Sequence, residues 1–375
     1  MTLHERLITT SFRGPGFDQI RIAAATVVLL HHCRGVEYAD IRVDPLFQYS
    51  GGDIHFGFLA VLVFFTISGF LVTPGLLRSE NMIDFASHRI LRVFPALIVV
   101  VITSMALLGP ALTISSPASY FFDPNLYRYA KNVLTLTYDY LPGVMNSGGH
   151  PVLINGALWT LHFEVLCYVT LALTSMLGIL RRRSLFLVLY LAFYGIHLAM
   201  SFDPTLVAVL PGRFLTFSKL FVYFGAGATL CIFADRIRFS IAFAISAFAL
   251  VMVALPFGLG AVVMPLCLPY IIIFCGLSAL PGYQQLKRDL SYGVYLIHGP
   301  VLLVFSSVFP DVRIWWFAAV SVFFITLVLS YLSWTFVEGP ALRRKKGLSN
   351  WLNGRFDTCC HSWNKRTRAL VAKGK

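Results

Sequence analysis

Apolar residues fall in runs of about 17–25, the length of a helix that crosses a bilayer, separated by polar joints. Ten such runs can be read, near residues 18–35, 55–76, 85–109, 156–178, 184–202, 212–233, 240–256, 259–279, 289–309 and 314–338. The pattern predicts an all-α fold, a polytopic transmembrane helical bundle of about ten spans. Only one joint on the second side is long, residues 110–155. It holds Pro110, Pro117, Pro124, Pro142 and Pro151, the rings of Tyr120, Phe121, Phe122, Tyr127, Tyr129, Tyr138 and Tyr140, and the run NSGGH ending at His150. Such rings suit an interfacial aromatic belt; they also suit stacking on sugars. The segment YRYAKNVLTLT reads as a short helix lying on the membrane. No internal repeat is visible. Residues 1–340 read as one membrane-embedded domain and 341–375 as a basic cytoplasmic tail, too short and polar for a core of its own.

Composition settles the class. Of 375 residues, 57% are hydrophobic and 13% charged, and the mean hydropathy is +0.75. A soluble domain is about 25% charged. The net charge of +13 would invite a nucleic-acid partner if it were clustered, but it alternates from joint to joint. One side carries Arg6 and Arg13, then Arg78, Arg89 and Arg92, then Arg181, Arg182 and Arg183, then Arg236 and Arg238, then Lys287 and Arg288, with Arg343, Arg344, Lys345 and Lys346 in the tail. The other side has scattered Arg34, Arg42, Arg128, Lys131, Arg213 and Arg313. This is the positive-inside pattern, with both termini in the cytoplasm. The excess charge is a topology signal, and nucleic acid is excluded as its reason.

The seven cysteines show no metal-binding spacing. Cys33, Cys167, Cys231, Cys267 and Cys275 lie in or beside apolar runs and read as reduced packing residues, while Cys359 and Cys360 in the tail carry only a weak lipidation signal. The first apolar run lacks a small-residue cleavage site and is expected to be retained.

Polar groups inside the runs carry the candidate chemistry. A charged residue in hydrocarbon costs about 2.5–3.5 kcal/mol on insertion scales, yet FDQIRIAAATVVLLHHCRG holds Asp18, Arg21, His31, His32 and Arg34. Eleven residues separate Arg21 from His32, about 1,100° of helical rotation and roughly 16 Å of rise. The two therefore share a face, and His31 points about 80° away. Snorkelling of Arg21 and an interfacial His32 would explain the same residues. In the second run, Ser68 and Gly69 of SGF allow close helix packing. Arg89 and Arg92 in FASHRILRVFP form an i, i+3 pair at the cytoplasmic mouth, a topology signal that also suits a phosphate clamp. In GALWTLHFEVLCY, Trp159 enters from outside and Glu164 lies two turns deep, where it needs a partner; His162, His32 and His298 are the candidates. His298 alone reads as a satisfied core histidine, and Glu338 as a surface ion-pair partner beside the basic cluster. Together, Arg21, Ser68, Arg89, Arg92 and Glu338 mark an inner mouth; His32, Trp159, Glu164 and His298 mark the interior and outer half. Titratable groups so placed line a pathway or a reaction site.

Six strings in order then become recognisable. FDQIRIAAATVVLLHH, FFTISGFLV, ASHRILRVFP, LWTLHFEVLCY, SYGVYLIH and FVEGP resemble the successive motifs of the acyltransferase-3 family of integral membrane proteins. The likeness selects His32 over His31 and keeps Arg89 and Arg92 of an R-x-x-R core. It departs from the family where a usual pair of glutamates is Glu164 followed by Val165, where His88 replaces an arginine, and where His162 replaces a serine.

The resemblance implies an O-acyltransferase of the bacterial inner membrane that moves an acyl group, usually acetyl, from cytosolic acetyl-CoA to a hydroxyl of an extracytoplasmic carbohydrate. It implies no metal. Arg89 and Arg92, with Arg21 and Ser68 beside them, would take the nucleotide end of acyl-CoA. His32 would be the general base, at an ordinary pKa near 6.5 suited to the task, and Glu164 would orient a histidine or hold the acceptor. Asp18, Trp159, His298 and Glu338 would bind substrate or hold the helices. An acyl-enzyme on His32 stays open, and so does a homo-oligomer. The rival class is a proton-coupled transporter or flippase of a glycan or lipid, which also uses buried carboxylates and histidines but often shows repeated halves.

Overall fold

The computed structural model describes residues 1–10, 14–35, 41–78, 82–145, 149–278, 288–312 and 314–353. Arg13, Lys287, Arg313, residues 146–148 of the NSGGH run, and Cys359 and Cys360 lie outside the described residues. Every apolar run carries a long helix. In chain order these are α1 (Phe17–Arg34), α2 (Phe56–Arg78), α3 (Met82–Leu112), α4 (Trp159–Met176), α5 (Arg183–Phe202), α6 (Gly212–Ile232), α7 (Ile241–Phe257), α8 (Gly260–Leu277), α9 (Ser291–Val308) and α10 (Trp315–Asn353). Among the described residues there is no named strand, only the isolated bridges Thr2 to Arg238 and Met145 to Pro151.

Seven of the ten are long and apolar enough to cross a membrane: α2, α3, α5, α6, α8, α9 and α10. The protein is a multi-pass membrane protein. α7 is apolar but shorter. The two remaining helices, α1 and α4, are the ones that carry His32 and Glu164. α10 runs past the expected end of its span, and Ser349 is buried there with its hydroxyl on the Asp84 carboxylate of α3. The first turns beyond residue 340 are therefore docked helix.

Proline sets two local distortions that matter below. Wide π turns occupy Ser104–Leu108 in α3 and Trp334–Glu338 in α10, and each is followed at once by Gly-Pro, Gly109–Pro110 and Gly339–Pro340. A proline ring clashes with the carbonyl one turn back and donates no N–H, so the helix widens ahead of it. In α3 a carbonyl of that turn, Met105, accepts a hydrogen bond from the Tyr120 hydroxyl at 2.8 Å.

Small residues decide the closest helix crossing. A Cβ on Gly69 of α2 would lie 1.9 Å from the Phe224 carbonyl of α6, and one on Gly227 would lie 2.2 Å from the Thr66 carbonyl. The backbones touch where the SGF string permits it, as small-residue packing in membranes does. The long joint folds back as helices Pro117–Phe122 and Pro124–Ala130 with a 3-10 turn Lys131–Leu134. It buries Tyr120 and Tyr129 completely and leaves Phe122 and Tyr127 exposed.

Candidate active site

Three arginines converge at one end of the bundle. Arg21 of α1 with Arg89 and Arg92 of α3 line a partly open cavity of about 90 Å³, together with Ser68 of α2, Glu164 and Tyr168 of α4, and Tyr292 of α9. Arg92 is committed to structure. Its guanidinium lies 2.5 Å from Asp289 and 3.7 Å from Glu338, and over the Tyr292 ring at 5.5 Å. Arg21 shares Asp289 at 3.4 Å and pairs with Asp18 at 3.2 Å. Burial pushes the Asp289 carboxyl up, but Arg92 and Arg21 outweigh it and hold it at about 2. Asp289 also accepts from the Ser291 N–H and hydroxyl, so it holds the first residue of α9 while bridging α1 and α3. Arg89 is different: it stacks over the Tyr168 ring at 5.6 Å, and among the described residues no carboxylate pairs with it. Its Nε is buried without a hydrogen-bond partner. Among the described residues, Arg89 is thus the one of the three cavity arginines without a carboxylate partner.

Glu164 belongs to this end. Thr160, Glu164 and Tyr168 recur every fourth residue along α4 and so form one stripe facing the cavity. The Glu164 carboxylate accepts from the Tyr168 hydroxyl at 2.5 Å and from the Ser68 hydroxyl at 3.4 Å. His162, two residues off the stripe, packs edge-on against Phe163 instead.

At the other end of α1 sits a pair of imidazoles. His32 Nδ1 lies 2.9 Å from the Val28 carbonyl and 3.2 Å from His298 Nε2, while His298 Nδ1 lies 3.1 Å from the Val294 carbonyl. A carbonyl can only accept, so each Nδ1 carries a proton. His298 Nε2 is then the acceptor for the His32 Nδ1–H. What remains is the lone pair on His32 Nε2. That nitrogen faces Gly156, where even a Cβ would stand 3.2 Å away. Gly156 is placed by buried Asn155, whose amide donates to the Leu296 carbonyl at 2.8 Å and whose oxygen accepts from the Ala157 N–H. His32 is thus an oriented imidazole whose Nε2 abuts Gly156, with Leu153 beside it.

Tyr295 joins the two ends. It lines the arginine cavity, hydrogen-bonds Thr160 at 2.6 Å and the Ala157 carbonyl at 3.2 Å, and its ring centre is 6.3 Å from that of His298. The cavity reaches Tyr295 and Thr160; His32 does not line it.

Comparison with known proteins fits this geometry. The family model described as acyltransferase domain matches residues 15–335. The chain belongs to the acyltransferase-3 family. It is a membrane acyltransferase. Its relatives include a Shigella phage Sf6 protein named O-acetyl transferase, 28% identical over 88% of this chain and 96% of that one. Another is Nodulation protein 10 of Rhizobium leguminosarum bv. viciae, 29% identical over 88% of this chain and 94% of that one. No solved structure matches.

Within this acyltransferase the expected site residues regroup. Arg21 and His32 do share one face of α1, and both turn it toward α9 and the residues before it, at Asp289 and at His298. The expected histidine partner for Glu164 is corrected: a tyrosine and a serine hold it, because its stripe on α4 faces the arginine end. Glu338 is corrected from a surface partner to a buried one, 2% exposed, carried inward by the π turn that ends on it and held by Ser333 at 3.1 Å. Trp159 packs on Phe163 with ring centres 6.0 Å apart and does not line the cavity. His298 is more than a core histidine, since its Nε2 is the hydrogen-bond acceptor for the His32 Nδ1–H. Asp289, Asn155, Tyr168 and Tyr295 escaped the sequence reading. Asp289 had a signal, an acidic residue two before a serine at a helix start; the tyrosines had none that separates a lining ring from a packing one. Cys33, Cys167, Cys231, Cys267 and Cys275 are free thiols.

Proposed function

We propose that this acyltransferase moves an acetyl group from cytosolic acetyl-CoA to a hydroxyl of an extracytoplasmic carbohydrate, in the cytoplasmic membrane of a bacterium. The observation that carries the reading is the 2.9 Å approach of His32 Nδ1 to the Val28 carbonyl, which assigns the proton to Nδ1 and the lone pair to Nε2 beside Gly156. The bacterial and phage relatives and their printed names support acetyl transfer to oxygen. The arginine end, on the side the basic residues mark as cytosolic, receives the phosphates of the donor. Arg89 makes the charged contact and Tyr168, held by Glu164 and Ser68, supports it. Arg92, Arg21, Asp289 and Glu338 hold α1, α3, α9 and α10 together around that entrance. The thioester arm passes Tyr295, whose bond to Thr160 opens as it does.

In the reaction His32 Nε2 takes the acceptor hydroxyl proton as the oxygen attacks the thioester carbonyl. The carbon–sulfur bond breaks, the thiolate takes the proton back from His32, and an ester and free CoA result. General-base catalysis of this type is worth about 10²–10⁴-fold. His298 receives a hydrogen bond from the imidazolium and keeps it oriented.

The test is purified protein with labelled acetyl-CoA and a surface-glycan extract. Label should enter the glycan, with CoA released only when acceptor is present. A transporter would accumulate substrate with no acylated product, and that result would refute the reading.

A further inference from the structure

His31 is left over by this mechanism, and it is not alone. Asp44 and His55 meet it at the exit of α1 and the entrance of α2, and one ligand-type atom from each lies within 4.8 Å of the other two. The three come from separate segments, so the fold and not local sequence assembles them. The Asp44 side chain is 5% exposed and that of His31 22%.

His31 Nδ1 and Asp44 Oδ2 form a loose ion pair at 3.6 Å, longer than a good hydrogen bond. The His31 and His55 rings stack with centres 4.4 Å apart and planes 19° from parallel. Asp44 Oδ1 caps the short helix Pro45–Tyr49 through the Leu46 and Phe47 N–H groups, which fixes the carboxylate, while Oδ2 accepts from the Phe56 N–H at 3.3 Å and turns its remaining lone pair toward His31. The His31 ring is wedged against Gly57, where a Cβ would sit 2.6 Å from it. A carboxylate and an imidazole are thus both held in place by the backbone around them.

We propose that His31, Asp44 and His55 form a binding site for a divalent transition metal, zinc by ligand type. Two imidazoles and one carboxylate are a zinc donor set, with the fourth position left to water or substrate. Ligand atoms about 2.1 Å from a tetrahedral ion are about 3.4 Å from one another, which the 3.6 Å gap between His31 and Asp44 already approaches. The remaining movement falls on His55, whose ring must turn out of its stack on His31 to aim a nitrogen at the ion. Its Nδ1 accepts from the Phe58 N–H at 3.2 Å; ligation through either ring nitrogen gives that bond up, directly at Nδ1 or by protonating Nδ1 when Nε2 binds. The ion would tie the end of α1 to the start of α2, one residue from His32. This proposal does not rest on the acyl-transfer reading.

The experiment is metal binding by the full-length protein in detergent, after chelation and removal of the chelator. Zinc is added alone and counted after desalting, and cobalt(II) is added alone and followed by its visible absorption. The expected result is one ion per chain, with tetrahedral cobalt bands and a raised melting temperature. Asp44→Asn keeps a capping acceptor but removes the charge, and His55→Ala removes a ligand from a loop position. Each should lower affinity at least tenfold, while exposed His4→Ala should leave it unchanged. Absence of stoichiometric binding, or binding that both loop variants retain, would overturn the proposal. Variants that melt like the metal-free parent are folded, so loss of binding in them cannot be blamed on misfolding.

Discussion

Among the described histidines, His32 is distinguished by hydrogen bonds that orient its Nδ1 and by an Nε2 that faces a glycine. Val28, Val294 and His298 fix the first; Gly156 defines the second. Two outcomes follow. Gly156→Ala puts a methyl group 3.2 Å from Nε2, where the acceptor oxygen must lie, and should lower kcat on the order of 10²-fold. Donor binding, measured directly with labelled acetyl-CoA, should stay at the parent value. His298→Phe removes the acceptor for Nδ1–H while keeping a ring in the buried site, and should also cost kcat and not donor affinity. A fall in donor affinity with kcat preserved would take both residues out of the proton transfer. Spacing placed His32 on the Arg21 face, and the family resemblance singled it out from His31. Its free nitrogen was not legible in the sequence, because Asn155, Leu296 and His298 come from distant segments and no local pattern announces their meeting.

Among the helices, the arginine pair of α3 divides in two. Arg92 is held by Asp289 and Glu338, and removing it strands two carboxylates. Arg92→Ala should therefore cost about 3–5 kcal/mol of stability, read as a drop in melting temperature, and its kinetics would report unfolding. Arg89 has no such duty, so Arg89→Ala should raise the apparent KM for acetyl-CoA with little change in melting; an unchanged KM would move the donor site. The bridge also has a pH signature. Asp289 is held at about 2 in the fold against about 3.9 when free. Its stabilisation is present above pH ~4 and is lost as pH falls from there toward 2. Asp289→Asn should flatten that limb of a melting-versus-pH curve. Close packing makes a further prediction: Gly227→Ala forces a Cβ to 2.2 Å from the Thr66 carbonyl, and the α2–α6 crossing should lose about 1–3 kcal/mol. The sequence showed ten helices because apolar runs are long and uninterrupted. It misplaced Glu164 and Glu338 because a carboxylate's burial depends on helix rotation and on a π turn, neither of which hydropathy records.

For the whole molecule, polarity is separated along the bundle. Arg21, Arg89, Arg92, Asp289, Glu164 and Glu338 gather at one end, the histidine pair lies at the other, and Tyr295 stands between them. Such an arrangement makes sense when an anionic donor and a neutral acceptor arrive from opposite sides of a membrane, and it is this opposition that acyl transfer across the bilayer requires. The measurement that tests it most directly uses sealed proteoliposomes of known orientation, with labelled acetyl-CoA supplied only at the arginine end and acceptor glycan only at the other. The parent protein should label the glycan, and His32→Gln should reduce that labelling at least 10²-fold without loss of protein from the membrane. Labelling that persists in the His32→Gln protein, or that needs donor and acceptor on the same side, would contradict it.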